Sequence, residues 1–151
     1  MAAALVENLT ARGHKIAAIK HCPHGHEPAR SDSDSDRLYG AGAVVAIASS
    51  PDRRTMVERV NQDSSLASLA ALVRTQAKAQ PDLIIAEGFK TSPVPKILVI
   101  DDGEMTESVT NIIATVGRDG TDQRVLNYSF NDLDNSAEWL SKVLLKSRQL
   151  P

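Results

Sequence analysis

An α/β fold built on a mainly parallel sheet follows from three features of this sequence. Short apolar runs such as KIAAIK (15–20), DLIIAE (82–87) and NIIATV (111–116) show no polar alternation, as in strands covered on both faces. Segments with helical spacing of apolar residues lie between such runs, above all LASLAALVRTQAKA (66–79). Hydrophobic residues make up 42% of the chain, yet there are only two Phe, two Tyr and one Trp. The core must therefore be mostly Ala, Val, Leu and Ile, which suits helices lying over a sheet.

Taken in order, AAALVENLTARG (2–13) predicts a helix with Leu5, Val6 and Leu9 near one face and Gly13 as its stop. KIAAIK follows as a buried strand, then a polar loop, HCPHGHEPARSDSDSD (21–36). Ser33 or Asp34 caps a short helix through Tyr39, and AVVAIAS (43–49) reads as another buried strand. After the turn SPDRR, TMVERV (55–60) alternates as a strand does, with Met56 and Val60 opposite Val57. Ser64 or Ser65 caps the helix 66–79, whose inward residues are Leu66, Leu69, Ala70 and Val73, and Pro81 ends it. DLIIAE, KILVI (96–100), NIIATV and RVLNYS (124–129) supply further strands, with DDGE as a turn. NDLDNSAEWLSKVLLK (131–146) closes as an amphipathic helix with Leu133, Ala137, Leu140 and Leu144 inward.

The totals limit function. At 151 residues the chain fits one domain, and a formal charge of −2 without a long basic run gives no footprint for nucleic acid. One cysteine, Cys22, excludes an internal disulfide framework and fits a reducing compartment. The opening residues lack a cationic region and meet Glu7 early, unlike a signal peptide, and no stretch has the ~18 apolar residues of a membrane span. The expectation is a soluble cytoplasmic protein.

Three stretches carry chemistry. His21, Cys22, His24 and His26 crowd into six residues, but neighbours at 21 and 22 converge poorly on one tetrahedral ion, and no second ligand pair with zinc spacing exists. A solvated loop is the plainer account. DSDSD (32–36) fails as a calcium loop, because counting from Asp32 puts Arg37 where glycine belongs and Ala43 where glutamate belongs. It remains either a helix cap or a source of one aspartate for a divalent metal. DLIIAEGFK (82–90) is the sharpest signal. Its apolar body puts Glu87 at the carboxyl edge of the sheet, where a carboxylate can hold a magnesium-bound water and Lys90 can meet phosphate. The alternative is an ordinary strand ended by Glu-Gly. No G-x-x-x-x-G-K-[ST] loop occurs in these residues, and YGAGA (39–43) precedes a strand instead of opening a helix.

With ARGHKIAAIKH (11–21), DSDR then GAGA (34–43), DLIIAEGFK, PKILVI (95–100) and FNDLDNSAEWL (130–140), the chain resembles the molybdopterin-guanine dinucleotide biosynthesis protein B family. The resemblance covers nearly the whole chain. It implies a three-layer, P-loop NTPase-like sheet with helices on both faces, and a homodimer. It implies an accessory protein assisting the nucleotidyltransferase that attaches a guanine nucleotide to molybdopterin, with GTP and Mg2+ as cofactors. Residue by residue, it implies a strand-end pair at Lys20 and His21, nucleotide-facing positions at Asp34, Ser35 and Arg37, and a Walker-B-like end at Glu87, Gly88, Phe89 and Lys90. Glu87 is the catalytic candidate, Asp34 and Glu87 the metal candidates, and Asp119 in TVGRD (115–119) approaches the base. In that family a strand and phosphate-binding loop precede the first helix found here. The resemblance thus implies one N-terminally truncated domain over 1–151, lacking its first strand and cradle. GTP binding no tighter than about millimolar is expected. Two alternatives stand beside it: an adaptor that binds no nucleotide, and a metal-handling protein using the His-rich loop.

Overall fold

A computed structural model describes residues 1–25, 33–100, 109–117, 126–129, 135 and 137–142. In chain order the elements are α1 (Ala2–Ala11), β1 (Ile16–Lys20), α2 (Asp34–Gly40), β2 (Val45–Ser49) and β3 (Arg54–Glu58). They continue as α3 (Leu66–Gln76), β4 (Leu83–Glu87), β5 (Lys96–Ile100), β6 (Ile112–Gly117) and β7 (Leu126–Ser129). Residues 137–142 are helical. Two compact units result, Met1–His21 with Ser65–Pro151, and Cys22–Ser64.

In the first unit, α1 ends as its sequence predicts. Gly13 takes φ +86° and its N–H donates to the Thr10 carbonyl at 2.9 Å, while the His14 N–H reaches the Leu9 carbonyl at 3.2 Å. Both bonds occupy carbonyls that a helix end leaves open. β1 and β4 then run parallel, with Ile16 beside Leu83 and Lys20 beside Glu87. Their entry is fastened by Asp82, whose carboxylate accepts the Lys15 N–H at 2.8 Å while its own N–H donates to the Lys15 carbonyl at 2.8 Å.

A second parallel ladder has the order β5-β6-β7. Ala114, Thr115 and Val116 of its central strand are buried. Among the described residues no ladder joins β4 to β5, so each keeps one hydrogen-bonding edge without a strand partner. Packing links them instead. Leu5, Leu9 and Ala137 form a buried cluster on which Ile16 of β1, Leu83 and Ile85 of β4, Ile97 of β5 and Leu140 all rest. Leu133 and Leu144, the other expected inward residues of the closing helix, lie outside the described residues, as does the DDGE turn.

α3 is capped by Ser65, whose hydroxyl accepts the Ser68 N–H at 3.1 Å. It stops three residues short of the expected 79. There the Gln80 side chain donates to the Arg74 carbonyl at 2.8 Å, occupying an acceptor that a continuing helix would use.

In the second unit Ser33, not Asp34, caps α2, accepting the Asp36 N–H at 3.3 Å. β2 and β3 form an antiparallel ribbon closed over residues 50–53. Within that turn Ser50 Oγ donates to Asp52 at 2.6 Å and accepts the Arg53 N–H at 3.1 Å. The Ser50 hydroxyl holds the Asp52 carboxyl below its ordinary pKa. The expectation of a buried strand at 43–49 is corrected: only Ala46 of β2 is buried. A continuous apolar run predicts two covered faces, whereas β2 buries Ala46 alone and leaves Val45, Ile47, Ala48 and Ser49 exposed.

Arg59 ties the ribbon to the end of α2. Its guanidinium lies 4.0 Å from the centre of the Tyr39 ring, Nε donates to the Ala43 carbonyl at 3.1 Å, and a terminal nitrogen donates to the Tyr39 carbonyl. A cation is favourable at the carbonyl end of a helix. Arg59→Ala is expected to cost the second unit about 1 kcal/mol. Hydrogen exchange should show faster loss of protection at Gly42 and Ala43, whose N–H groups bond back into α2, with β1 unchanged.

Candidate functional site at the carboxyl edge of β1 and β4

The register of β1 and β4 brings two charged ends together. Lys20 and Glu87 sit side by side, the Lys20 ammonium donating to the Glu87 carboxylate at 3.5 Å. The pair is exposed, at 66% and 57%, so it stabilises the fold little and can be rearranged by a ligand at small cost. The ladder runs one step further, with the His21 N–H donating to the Glu87 carbonyl at 3.0 Å.

Beyond that bond the chain turns back sharply. Gly88 has φ +91° and Phe89 has φ +52°, two successive residues in the left-handed region. Space at 88 is tight as well: an added Cβ would lie 3.0 Å from the His21 Cβ, which would have to give by a few tenths of an ångström. The turn swings the Phe89 ring over His21, with ring centres 4.6 Å apart and planes 25° from parallel. Lys90 stands exposed just after it. One edge of the sheet thus presents two ammonium groups, one carboxylate and a stacked aromatic pair.

The segment after the turn is anchored. The Ser92 N–H donates to the Phe89 carbonyl at 3.0 Å. The Lys96 ammonium donates to the carbonyls of Ser92, of Val94 at 3.2 Å and of Thr110 at 2.9 Å. Asn111, at φ +58°, donates from its amide to the Pro93 carbonyl at 2.7 Å. The Ser92 hydroxyl oxygen is enclosed and makes no hydrogen bond among the described residues.

Of the expected site residues, Lys20, His21, Glu87, Gly88 and Lys90 are brought together here. Asp34, Ser35 and Arg37 lie in the first turns of α2, in the second unit, where the Ser33 and Ser35 hydroxyls are 3.0 Å apart. Asp119, His26 and Asp32 lie outside the described residues. Among the described residues no three His, Cys, Asp or Glu side chains gather as a metal site. The residue that sequence reasoning undervalued is Phe89, whose stacking depends on two left-handed backbone positions. The adjacent Gly88 was its one visible sign.

Residues 1–118 match the family described as "Molybdopterin guanine dinucleotide synthesis protein B". The chain belongs to that family. A relative from Bacillus subtilis (strain 168), named a probable molybdopterin-guanine dinucleotide biosynthesis adapter protein, is 30% identical over 118 residues, 76% of this chain and 65% of the relative. One from Haemophilus influenzae, named a molybdopterin-guanine dinucleotide biosynthesis adapter protein, is 32% identical over 72% of this chain and 58% of its own length. The chain thus spans somewhat under two thirds of these two relatives. The crystal structure of Bacillus subtilis MobB superposes with a TM-score of 0.73 at 25% identity, covering 91% of this chain and 85% of the other. The MobB fold, an α/β architecture with parallel ladders, is therefore shared. No helix among the described residues is long and apolar enough to cross a membrane.

Proposed function

We propose that this chain is a homodimeric adapter in molybdopterin-guanine dinucleotide biosynthesis, assisting the nucleotidyltransferase that joins the guanine nucleotide to molybdopterin. The adapter names of the relatives support the pathway. The observation that carries the biochemical reading is the edge formed by Lys20, His21, Glu87, Gly88, Phe89 and Lys90. Lys20 and Lys90 face the phosphates of GTP as point charges. Glu87, exposed and only loosely paired, suits a water on a magnesium ion that supplies charge neutralisation for the phosphates. That ion would come with the nucleotide, as a counter-ion to its phosphates.

Affinity is set by what accompanies the edge. These 151 residues contain no glycine-rich G-x-x-x-x-G-K-[ST] loop, so backbone N–H groups do not add the cradle that usually binds the triphosphate. Titration calorimetry with Mg-GTP is therefore expected to give a Kd weaker than about 1 mM. In NMR titrations at millimolar Mg-GTP, shifts should concentrate at Lys20–His21 and Glu87–Lys90 and vanish in Lys20→Glu with Lys90→Glu. Micromolar binding would refute the weak-site account, and shifts confined elsewhere would refute the phosphate-facing edge.

A further inference from the structure

The chain entering β5 is short of hydrogen-bond donors. In SPVPK (92–96) two prolines carry no N–H, so the carbonyls of Ser92, Pro93 and Val94 outnumber the backbone donors beside them. Two side chains at the entry to β5 and β6 make up the deficit. Asn111 takes the Pro93 carbonyl, and the Lys96 ammonium takes those of Ser92, Val94 and Thr110. The Lys96 N–H donates to the Asn111 carbonyl at 2.9 Å, and the β5–β6 register shifts immediately afterwards, between Lys96 and Ile97. At that irregularity the 92–94 and 110–111 segments meet round one ammonium group.

A surface lysine keeps its head in water. Lys96 is half-buried, and its three donors, all that an ammonium has, end on three neutral carbonyl oxygens. No carboxylate joins them among the described residues. Sets of carbonyl oxygens are how proteins replace the hydration shell of potassium. We infer that the carbonyls of Ser92, Val94 and Thr110 form a monovalent-cation site whose cation is built into the chain, the Lys96 ammonium standing where a potassium or ammonium ion would. The enclosed Ser92 hydroxyl oxygen makes no hydrogen bond among the described residues, as expected beside a lysine whose three directed bonds are spent; a spherical ion has no such limit. Lys96 is also a positioning residue for the turn after β4. The Ser92 N–H donates to the Phe89 carbonyl at 3.0 Å, so the residue held by the caged charge is the one that anchors Phe89. The cage stands whether or not that turn meets a nucleotide.

Cation replacement tests the site on the full chain. Lys96→Ala removes the built-in charge and leaves room for a free ion, whereas Lys96→Met is neutral but fills the space. In choline chloride both should lower Tm by roughly 5 °C. Potassium or ammonium chloride at the same ionic strength, ~100 mM, should recover about half of that loss in Lys96→Ala alone. The backbone amide resonances of Val94 and Asn111 and the ring resonances of His21 should move in choline and return with the ion. Lithium, smaller and more firmly hydrated, should do no better than choline. An equal Tm for Lys96→Ala in choline and potassium, or equal recovery of both variants, would overturn the cation site, as would a Lys96→Ala chain as stable as wild type. A His21 ring that stays in place while the cage responds would overturn only the link to the Phe89 turn. If Lys96→Ala fails to fold in every salt, the wild type decides. Its Lys96 ammonium protons, held by three carbonyls, should exchange with water slowly enough to be seen by NMR, unlike those of exposed Lys90, and their absence overturns the cage.

Discussion

Replacing Leu9 by alanine is expected to remove about 2–5 kcal/mol of stability, the largest loss from any single core truncation in the first unit. Leu9 is fully buried, and the cluster it forms with Leu5 and Ala137 is where α1, the 137–142 helix, β1, β4 and β5 meet. Because no ladder joins β4 to β5 among the described residues, apolar packing is what couples the two parallel ladders there. In a continuous sheet a core cavity leaves neighbouring strands still tied by hydrogen bonds. Here Leu9→Ala thins the packing that both ladders share, so the cost falls at the upper part of the range. Against a total stability of roughly 5–15 kcal/mol this is a large share. Urea denaturation should show a lower midpoint with an unchanged slope. A broadened transition, with β1 and β6 reporting different midpoints, would show the ladders uncoupling. Leu72→Ala on α3, where the side chain is 40% exposed, is the control and should shift stability by only about 0.5 kcal/mol.

Local rules carried far in this sequence. The helix stop at Gly13, the serine cap of α3 and the ends of β1 and β4 can be read directly, because each is decided by residues a few positions apart. The same holds for Glu87 at the carboxyl edge, since strand length and the charge after an apolar run place it without tertiary information. Three features escaped. The apolar run at 43–49 looks like a buried strand, but periodicity cannot distinguish two covered faces from a strand that buries one residue and leaves the rest exposed. The split into separate ladders depends on which strands pair, a long-range property that no window of sequence contains. The His21–Phe89 stack depends on φ values at 88 and 89 that only the glycine announced.

At that turn the second large effect is expected. Gly88→Val should cost about 2–4 kcal/mol and dismantle the edge of the candidate site in the same step. Two terms add. At φ +91° a β-branched residue is a steric outlier, because its Cβ crowds the neighbouring carbonyl. The new Cβ also falls 3.0 Å from the His21 Cβ, which is too close to the backbone to swing aside, so β1 and the turn must separate by a few tenths of an ångström. Separation weakens the 3.0 Å bond from the His21 N–H to the Glu87 carbonyl and lifts His21 off Phe89. Proton NMR makes the two terms distinguishable. Loss of stacking should move the His21 ring resonances toward their free-imidazole positions, as the Phe89 ring current is withdrawn. Phe89→Leu removes the ring without the crowding at 88, and should reproduce the shift of the His21 resonances while costing less stability. If Gly88→Val leaves the His21 resonances in place and stability within about 0.5 kcal/mol, the close approach of residue 88 to His21 is not what shapes this turn. If both change together, the same glycine sets the fold of the strand end and the spacing of Lys20, Glu87 and Lys90.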